Sequence, residues 1–294
     1  MSGTAPDRVQ ALAHAKVNLL LRILTRESNG YHQIETVFQL LELADEIAVT
    51  RTTAGVTLDV QGPDLGPVAD NLAVRAAQLV LETTGRKFGV AIALTKHIPV
   101  RSGLGGGSSD AAAVLHAVNA LAGHAVPRHE LEHLGTRLGA DVAFFASGTA
   151  TALAWGRGER LFRLAAPPEA PVLVAVPAVG VATPDAYRWW DEMHPEPAAR
   201  GPVVLDALAL STWGSIGRLG GNDFEVPVFS RHPMLREVFE QLAATGPLWV
   251  RLCGSGAAVA AVYRSARDRD DAAQSLNPKT AKPISTGTRG APAT

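Results

Sequence analysis

The apolar positions of this chain repeat with two different periods, and the alternation between them predicts its elements. Residues 11–24, ALAHAKVNLLLRIL, form an apolar, partly β-branched run between polar flanks, which predicts a strand. Lys16 and Asn18 interrupt that run two positions apart, so a strand places both on one face. The Asn-Gly of SNGYH (28–32) marks a turn, and strand-like character resumes over 34–50, predicting an antiparallel hairpin. Over 71–85 the spacing changes: Leu72, Ala76, Leu79 and Val80 recur at helical intervals and Gly85 supplies the C-terminal cap. A strand over 90–100 then runs into a glycine loop. Beyond the loop Ala111, Val114, Leu115, Val118 and Leu121 form a helical stripe. A further helix is expected from about Pro127 to Leu138, ahead of DVAFFASGTATALAWGRGERLFRL, which reads as two short strands with a turn at GRG.

The Pro-rich AAPPEAP (165–171) predicts a boundary between a first domain, 1–164, and a second, 172–286. Past it come a buried strand (VLVAVP), two helices (PDAYRWWDEM and PMLREVFEQLAATG) and two strands around the glycine turn of LWVRLCGSGAAVAAVY. An amphipathic helix from about 265 and a last strand follow, and residues 287–294 are expected as a disordered tail.

Composition narrows the function classes. The chain has 294 residues, 47% of them hydrophobic, enough for a full core, so it is read as a folded, soluble protein. Its 27 Lys and Arg nearly balance 28 Asp and Glu, so no overall field favours nucleic acid or an anionic membrane. Cys253 is the single cysteine, which excludes an intramolecular disulfide and a cysteine metal cluster. The start, MSGTAPDRVQ, lacks a signal-peptide core and no apolar stretch reaches the roughly 18 residues of a membrane span, so a cytoplasmic setting is expected. A monomer and a weak homodimer both remain open.

The loop in IPVRSGLGGGSSDAAAVLHAVNAL carries the clearest chemistry. Gly103, Gly105, Gly106 and Gly107 allow backbone to turn sharply or approach a ligand closely, and the helix behind them offers free N–H groups and a positive dipole end to phosphate. Ser108 and Ser109 add hydroxyls for the cap, a phosphate oxygen or Mg²⁺. No Gly-Lys-Ser/Thr of a Walker loop occurs, and the third glycine of a dinucleotide fingerprint is missing. Asp141 stands at an expected helix-to-strand junction, as a turn carboxylate or a base. A competing pattern is HELEH (129–133), which matches H-E-x-x-H and would make the protein a zinc peptidase. No third ligand is apparent, and the segment also reads as an exposed helix start. Cys253 reads as a packed thiol, since no Cys-His arrangement is evident.

Three motifs in order, AKVNLLL, PVRSGLGGGSSDAAA and LCGSGAAV, resemble those of the GHMP kinases, and the resemblance covers about residues 11–286. It implies a two-domain α/β (α+β) fold, with an N-terminal domain of ribosomal-protein-S5-like topology and a ferredoxin-like C-terminal domain. It also implies an ATP-dependent small-molecule kinase using Mg²⁺, with no residue assigned to hold a metal. Pro99, Val100, Arg101, Ser102, Gly103, Leu104, Gly105, Gly106, Gly107, Ser108 and Ser109 correspond to the ATP loop. Asp141 corresponds to the catalytic base and Lys16 to the lysine that orients it, while Asn18 supports the acceptor. The longer glycine core, with SNGYHQIETVFQLLELAD, GADVAFF and GNDFE, is similar to the members whose acceptor is a cytidine diphosphate sugar alcohol. There Tyr31 and Tyr187 would sandwich the base, His32 would read its edge, and Thr183 would sit four residues before Tyr187. A kinase of smaller acceptors and a binding protein without turnover are the alternatives within the fold. Arg101 and Ser102 stand where the family prefers small residues, Ala143 replaces a common proline, and Cys253 replaces a Ser or Thr.

Overall fold

A computed structural model describes residues 6–85, 87–195, 206 and 208–291. Its frame is the expected hairpin, far longer than a typical one: β1 (Arg8–Arg26) pairs antiparallel with β2 (His32–Thr52), from Arg26 opposite His32 to Arg8 opposite Thr50. Gly30, at φ +88, closes the turn in a conformation that favours glycine. The other edge of β2 is shared by two short units. β3 (Val56–Gln61) lies parallel to β4 (Gly89–Thr95), which pairs with residues 46–52 of β2. β5 (Thr151–Gly156) pairs with residues 34–39 and carries β6 (Arg160–Leu164) outside it.

Four helices cover this sheet: α1 (Leu72–Thr83), α2 (Gly106–Leu121), α3 (Arg128–Thr136) and α4 (Ala140–Ala146). α1 is capped as its sequence asks, Asn71 Oδ1 accepting from Ala73 N at 2.9 Å. The whole predicted stripe of α2 is buried against the sheet, where it joins Val80, Val90, Ile92 and Phe144 in one core. α4 corrects the reading of DVAFFA as strand. Asp141 lies in the first turn of a helix, and Phe144 packs on Phe38 at 4.8 Å between centroids. A run of that length satisfies either period, and here tertiary packing selects the helix.

The chain changes sheets across the proline-rich segment. β7 (Pro171–Pro177) leads through α5 (Thr183–Met193), α6 (Trp213–Ile216), α7 (Glu225–Arg231) and α8 (Pro233–Ala244) to β8 (Trp249–Leu252) and β9 (Val259–Val262). α9 (Ala266–Ser275) and β10 (Ala281–Gly287) complete it. The strand order β10-β7-β9-β8, antiparallel throughout, is the split β-α-β arrangement of a ferredoxin-like unit. Past β10 the chain stays docked where a frayed tail was expected: Thr288 is buried and its N donates to Ala170 O at 3.0 Å, and Arg289 N donates to Leu40 O at 3.0 Å. Residues 292–294 lie outside the described residues.

The two sheets meet through a core of their own. Val17, Leu19, Leu41, Ile98 and Leu104 from the first side pack with Val172, Val174, Trp213, Trp249 and Cys253 from the second. Trp249 Nε1 donates to Leu19 O at 3.0 Å, and Leu21 exchanges backbone bonds with Gly221 and Asp223. This junction fixes the middle of β1 against the second sheet and forms one wall of a cleft. Among the described residues no helix is long and apolar enough to cross a membrane.

Candidate active site

Bulges in β1 decide where its polar residues point. The register with β2 shifts between His14 and Lys16 and again between Asn18 and Leu20, and Lys16 N donates to Leu104 O at 3.0 Å instead of to β2. Lys16 and Asn18 therefore face the glycine loop. Lys16 Nζ donates to Asn18 Oδ1 at 2.8 Å and to the Gly103 carbonyl at 3.1 Å, and lies 3.5 Å from Asp141 Oδ2. Asn18 is held in turn by Thr36 Oγ1, which accepts from its Nδ2 at 2.8 Å. The lysine side chain is only 4% exposed, whereas Asp141 is 34% exposed at the start of α4. A buried cation thus ties strand, loop and an accessible carboxylate together.

These groups sit in a cleft of about 1670 Å³, lined by loop residues Pro99 to Ser108 and by Asn18, Tyr31, His32, Thr183 and Tyr187. Two glycines are required by close approach. A Cβ on Gly103 would lie 1.7 Å from Cys253 O, and one on Gly105 2.9 Å from the Phe145 ring, with φ of +80 and +76. Around Gly107 there is open space on the cleft side. The N-terminus of α2 consequently presents bare N–H groups, the geometry that suits phosphate. Ser109 is the expected loop residue that the cleft does not include: it is buried and lines a separate cavity with His14 and His116. Arg101 adopts φ +53, and its carbonyl accepts from Ala257 N at 3.3 Å.

Aromatic groups line the same cleft. His32 and Tyr187 stack at 4.5 Å with planes 15° apart, and Phe224 meets Tyr187 edge-on at 4.9 Å. Burial raises the Tyr187 phenol above its ordinary value, with the Asp141 carboxylate as a second cause. Tyr31 is instead 59% exposed, its ring covered by the Arg157 guanidinium at 4.2 Å. Thr183 opens α5 and hydrogen-bonds Ser255 of the glycine turn at 2.9 Å.

Several residues here escaped sequence reasoning. Lys96 lies behind the loop between two buried carboxylates, bonded to Asp45 Oδ2 and, at 2.6 Å, to Asp110 Oδ2. Asp45 Oδ1 also accepts from His97 N and Ile98 N at 2.5 and 2.7 Å, fixing the approach to the loop. Two carboxylates share one ammonium, and Asp110 Oδ1 has no hydrogen-bond partner. Burial accordingly pushes Asp110 up to about 7, with Lys96 opposing and Asp45 reinforcing the shift. Asp191 was missed too, although Thr183, Tyr187 and Asp191 follow each other at intervals of four on α5, a signal the sequence does carry.

The competing patterns find no support in this geometry. His129, Glu130 and His133 are all exposed on α3, and the described residues contain no group of three His, Cys, Asp or Glu able to hold a metal ion. Cys253 is fully buried, which pushes its thiol up to about 12, so it stays protonated and packed.

Comparison with known proteins gives the family of the chain. Residues 71–149 match the GHMP kinases N terminal domain and residues 204–282 the GHMP kinases C terminal domain. The chain is 38% identical over 270 residues to a 4-diphosphocytidyl-2-C-methyl-D-erythritol kinase of Solibacter usitatus, covering 90% of this chain and 83% of that protein. It is also 38% identical over 267 residues to the same-named protein of Chlorobaculum tepidum, covering 90% and 92%. A crystal structure of 4-(cytidine 5′-diphospho)-2C-methyl-D-erythritol kinase superposes with a TM-score of 0.80 at 38% identity, over 95% of this chain and 99% of that one. Homoserine kinase from Cytophaga hutchinsonii, at 18% identity and a TM-score of 0.73 over 100% of this chain and 98% of that one, shares the fold.

Proposed function

Because the chain belongs to the GHMP kinases, and within them to the 4-diphosphocytidyl-2-C-methyl-D-erythritol kinases, we propose that it transfers the γ-phosphoryl group of ATP to the 2-hydroxyl of that diphosphocytidyl sugar alcohol, a step of the non-mevalonate isoprenoid route. The observation that carries the reading is the position of Lys16 Nζ, within 3.5 Å of Asp141 and bonded to the carbonyl of Gly103 in the phosphate loop. An alcohol is a weak nucleophile at neutral pH, and a carboxylate within hydrogen-bond reach accepts its proton as the bond to phosphorus forms. Asp141, accessible at the cleft, takes that part. Lys16, almost wholly buried, fixes the direction of the carboxylate and places positive charge beside the oxygens that gain charge in transfer.

The remaining groups supply position. Backbone N–H groups at the start of α2, with Ser108, hold the phosphates of ATP against the loop. Asn18, locked by Thr36 and bonded to Lys16, orients the acceptor hydroxyl beside them. Tyr31 and Tyr187, both lining the cleft, stack the cytosine while His32 reads its edge, and Thr183, joined to Ser255, sets the start of α5 beside it. Mg²⁺ accompanies ATP in such transfers. Asp141 and Ser108, which both line the cleft, are oxygen donors of the kind it takes and would hold it there together with phosphate oxygens. When bound, the ion neutralises charge on the phosphates.

Asp141→Asn tests the assignment, because the amide keeps the shape of the side chain and cannot accept the proton. Turnover should fall by a factor of about 10² or more while ATP binding persists. Turnover close to that of the parent protein would remove Asp141 from the role of base.

A further inference from the structure

His32 is held from three sides. Tyr187 fixes the plane of its ring by stacking, Trp190 meets its edge at 5.8 Å and 86°, and Asp191 Oδ1 bonds its Nε2 at 2.7 Å. Asp191 is itself steadied by Arg26, whose Nη1 lies 3.4 Å from Oδ2. A carboxylate can only accept, so this bond puts the ring proton on Nε2. In the neutral imidazole Nδ1 is then a lone-pair acceptor, and among the described residues nothing bonds to it. The histidine side chain is only 5% exposed, yet the residue lines the cleft.

We propose that Asp191 is a positioning residue that fixes His32 as a hydrogen-bond acceptor toward the base of the bound nucleotide, so that the site selects a pyrimidine bearing a 4-amino group and rejects one bearing a 4-carbonyl. This rests on the reading that the acceptor is a cytidine diphosphate derivative. Cytosine and uracil have the same size and stack equally on an aromatic ring, so stacking does not separate them. They differ at position 4, where one donates and the other accepts. An acceptor fixed in a buried ring bonds the amino group. Against a carbonyl it leaves two lone pairs facing each other, and an unsatisfied polar contact of this kind discriminates far more than a missing methylene does. Asp191 does this without touching the ligand, by removing the ring's choice of tautomer.

The test is titration calorimetry of the whole protein, saturated with ADP so that the ATP site is filled, using CDP and UDP as probes. The parent protein should bind CDP at least about tenfold more tightly than UDP. Asp191→Asn keeps the size of the side chain but can turn its NH₂ toward Nε2, which moves the proton to Nδ1. In that variant the preference should collapse toward unity, with ADP affinity unaltered. A preference that survives the substitution, even if both probes weaken together, would show a structural role only and overturn the inference. A second readout needs no variant: imidazole ¹⁵N NMR of the parent should show the Nε2–H tautomer of His32, and an Nδ1–H tautomer would equally overturn it. Neither measurement depends on turnover, so failure of the kinase reading and failure of this inference are separable.

Discussion

At the scale of single residues, Arg101 stands out in the glycine loop as a side-chain-bearing residue with positive φ. Its φ of +53 lies in the left-handed region, where a residue with a Cβ is strained by roughly 1–2 kcal/mol. No acidic side chain pairs with it among the described residues, and it lines the cleft beside the phosphate loop. Strain at a cleft-lining cation makes its charge the property to test. Arg101→Gly therefore separates the two effects. Stability should rise by about 0.5–1 kcal/mol in denaturant titration, the relief of strain less the entropy of glycine, while ATP affinity falls several-fold. A fall in stability, or unchanged affinity, would contradict this. Lys16 was legible by contrast, because a lysine and an asparagine two apart in an apolar strand must share a face. What the sequence could not show is that bulges turn that face to the loop.

At the scale of elements, α2 does two things: its N-terminus faces the cleft and its first turn is anchored from behind. The anchor joins Asp45 on β2, Lys96 just past β4 and Asp110 on α2, and with both carboxylates ionised its net charge would be negative in a buried position. A carboxyl pushed up to about 7 holds its proton in the folded state over a range where the unfolded chain, with an ordinary value near 3.8, has lost it. The folded state thus binds more protons between about pH 4 and 7, and this group's contribution to stability declines as pH rises through that window. Asp110→Asn should remove the decline, read as a flatter dependence of Tm on pH from 4 to 7. An unchanged slope would mean that Asp110 is ionised in the fold. Sequence alone could not assemble this anchor, since 51 residues separate Asp45 from Lys96. The strands and helices with long, clear periods were legible, from the first hairpin to the α2 stripe. DVAFFA was not, because six residues fit both periods and only the ring of Phe38 decides between them.

At the scale of the whole molecule, the two sheets are joined by a core as buried as either sheet's own, and the cleft runs along that junction. β1, the Gly103 loop and the 253–256 turn meet there, so residues more than two hundred positions apart define one site. The three short motifs, far apart along the chain, lie on the segments that the fold brings together there. The cleft holds both the glycine loop and the stacked His32 and Tyr187, so an acceptor that uses both must reach from one to the other. A small hydroxy acid would leave the stacked rings without a ligand. The most direct measurement is ADP release from ATP with three acceptors in turn: 4-diphosphocytidyl-2-C-methyl-D-erythritol, homoserine and mevalonate. Turnover with the first and none above background with the other two is the predicted result; turnover with homoserine or mevalonate and none with the diphosphocytidyl compound would contradict it.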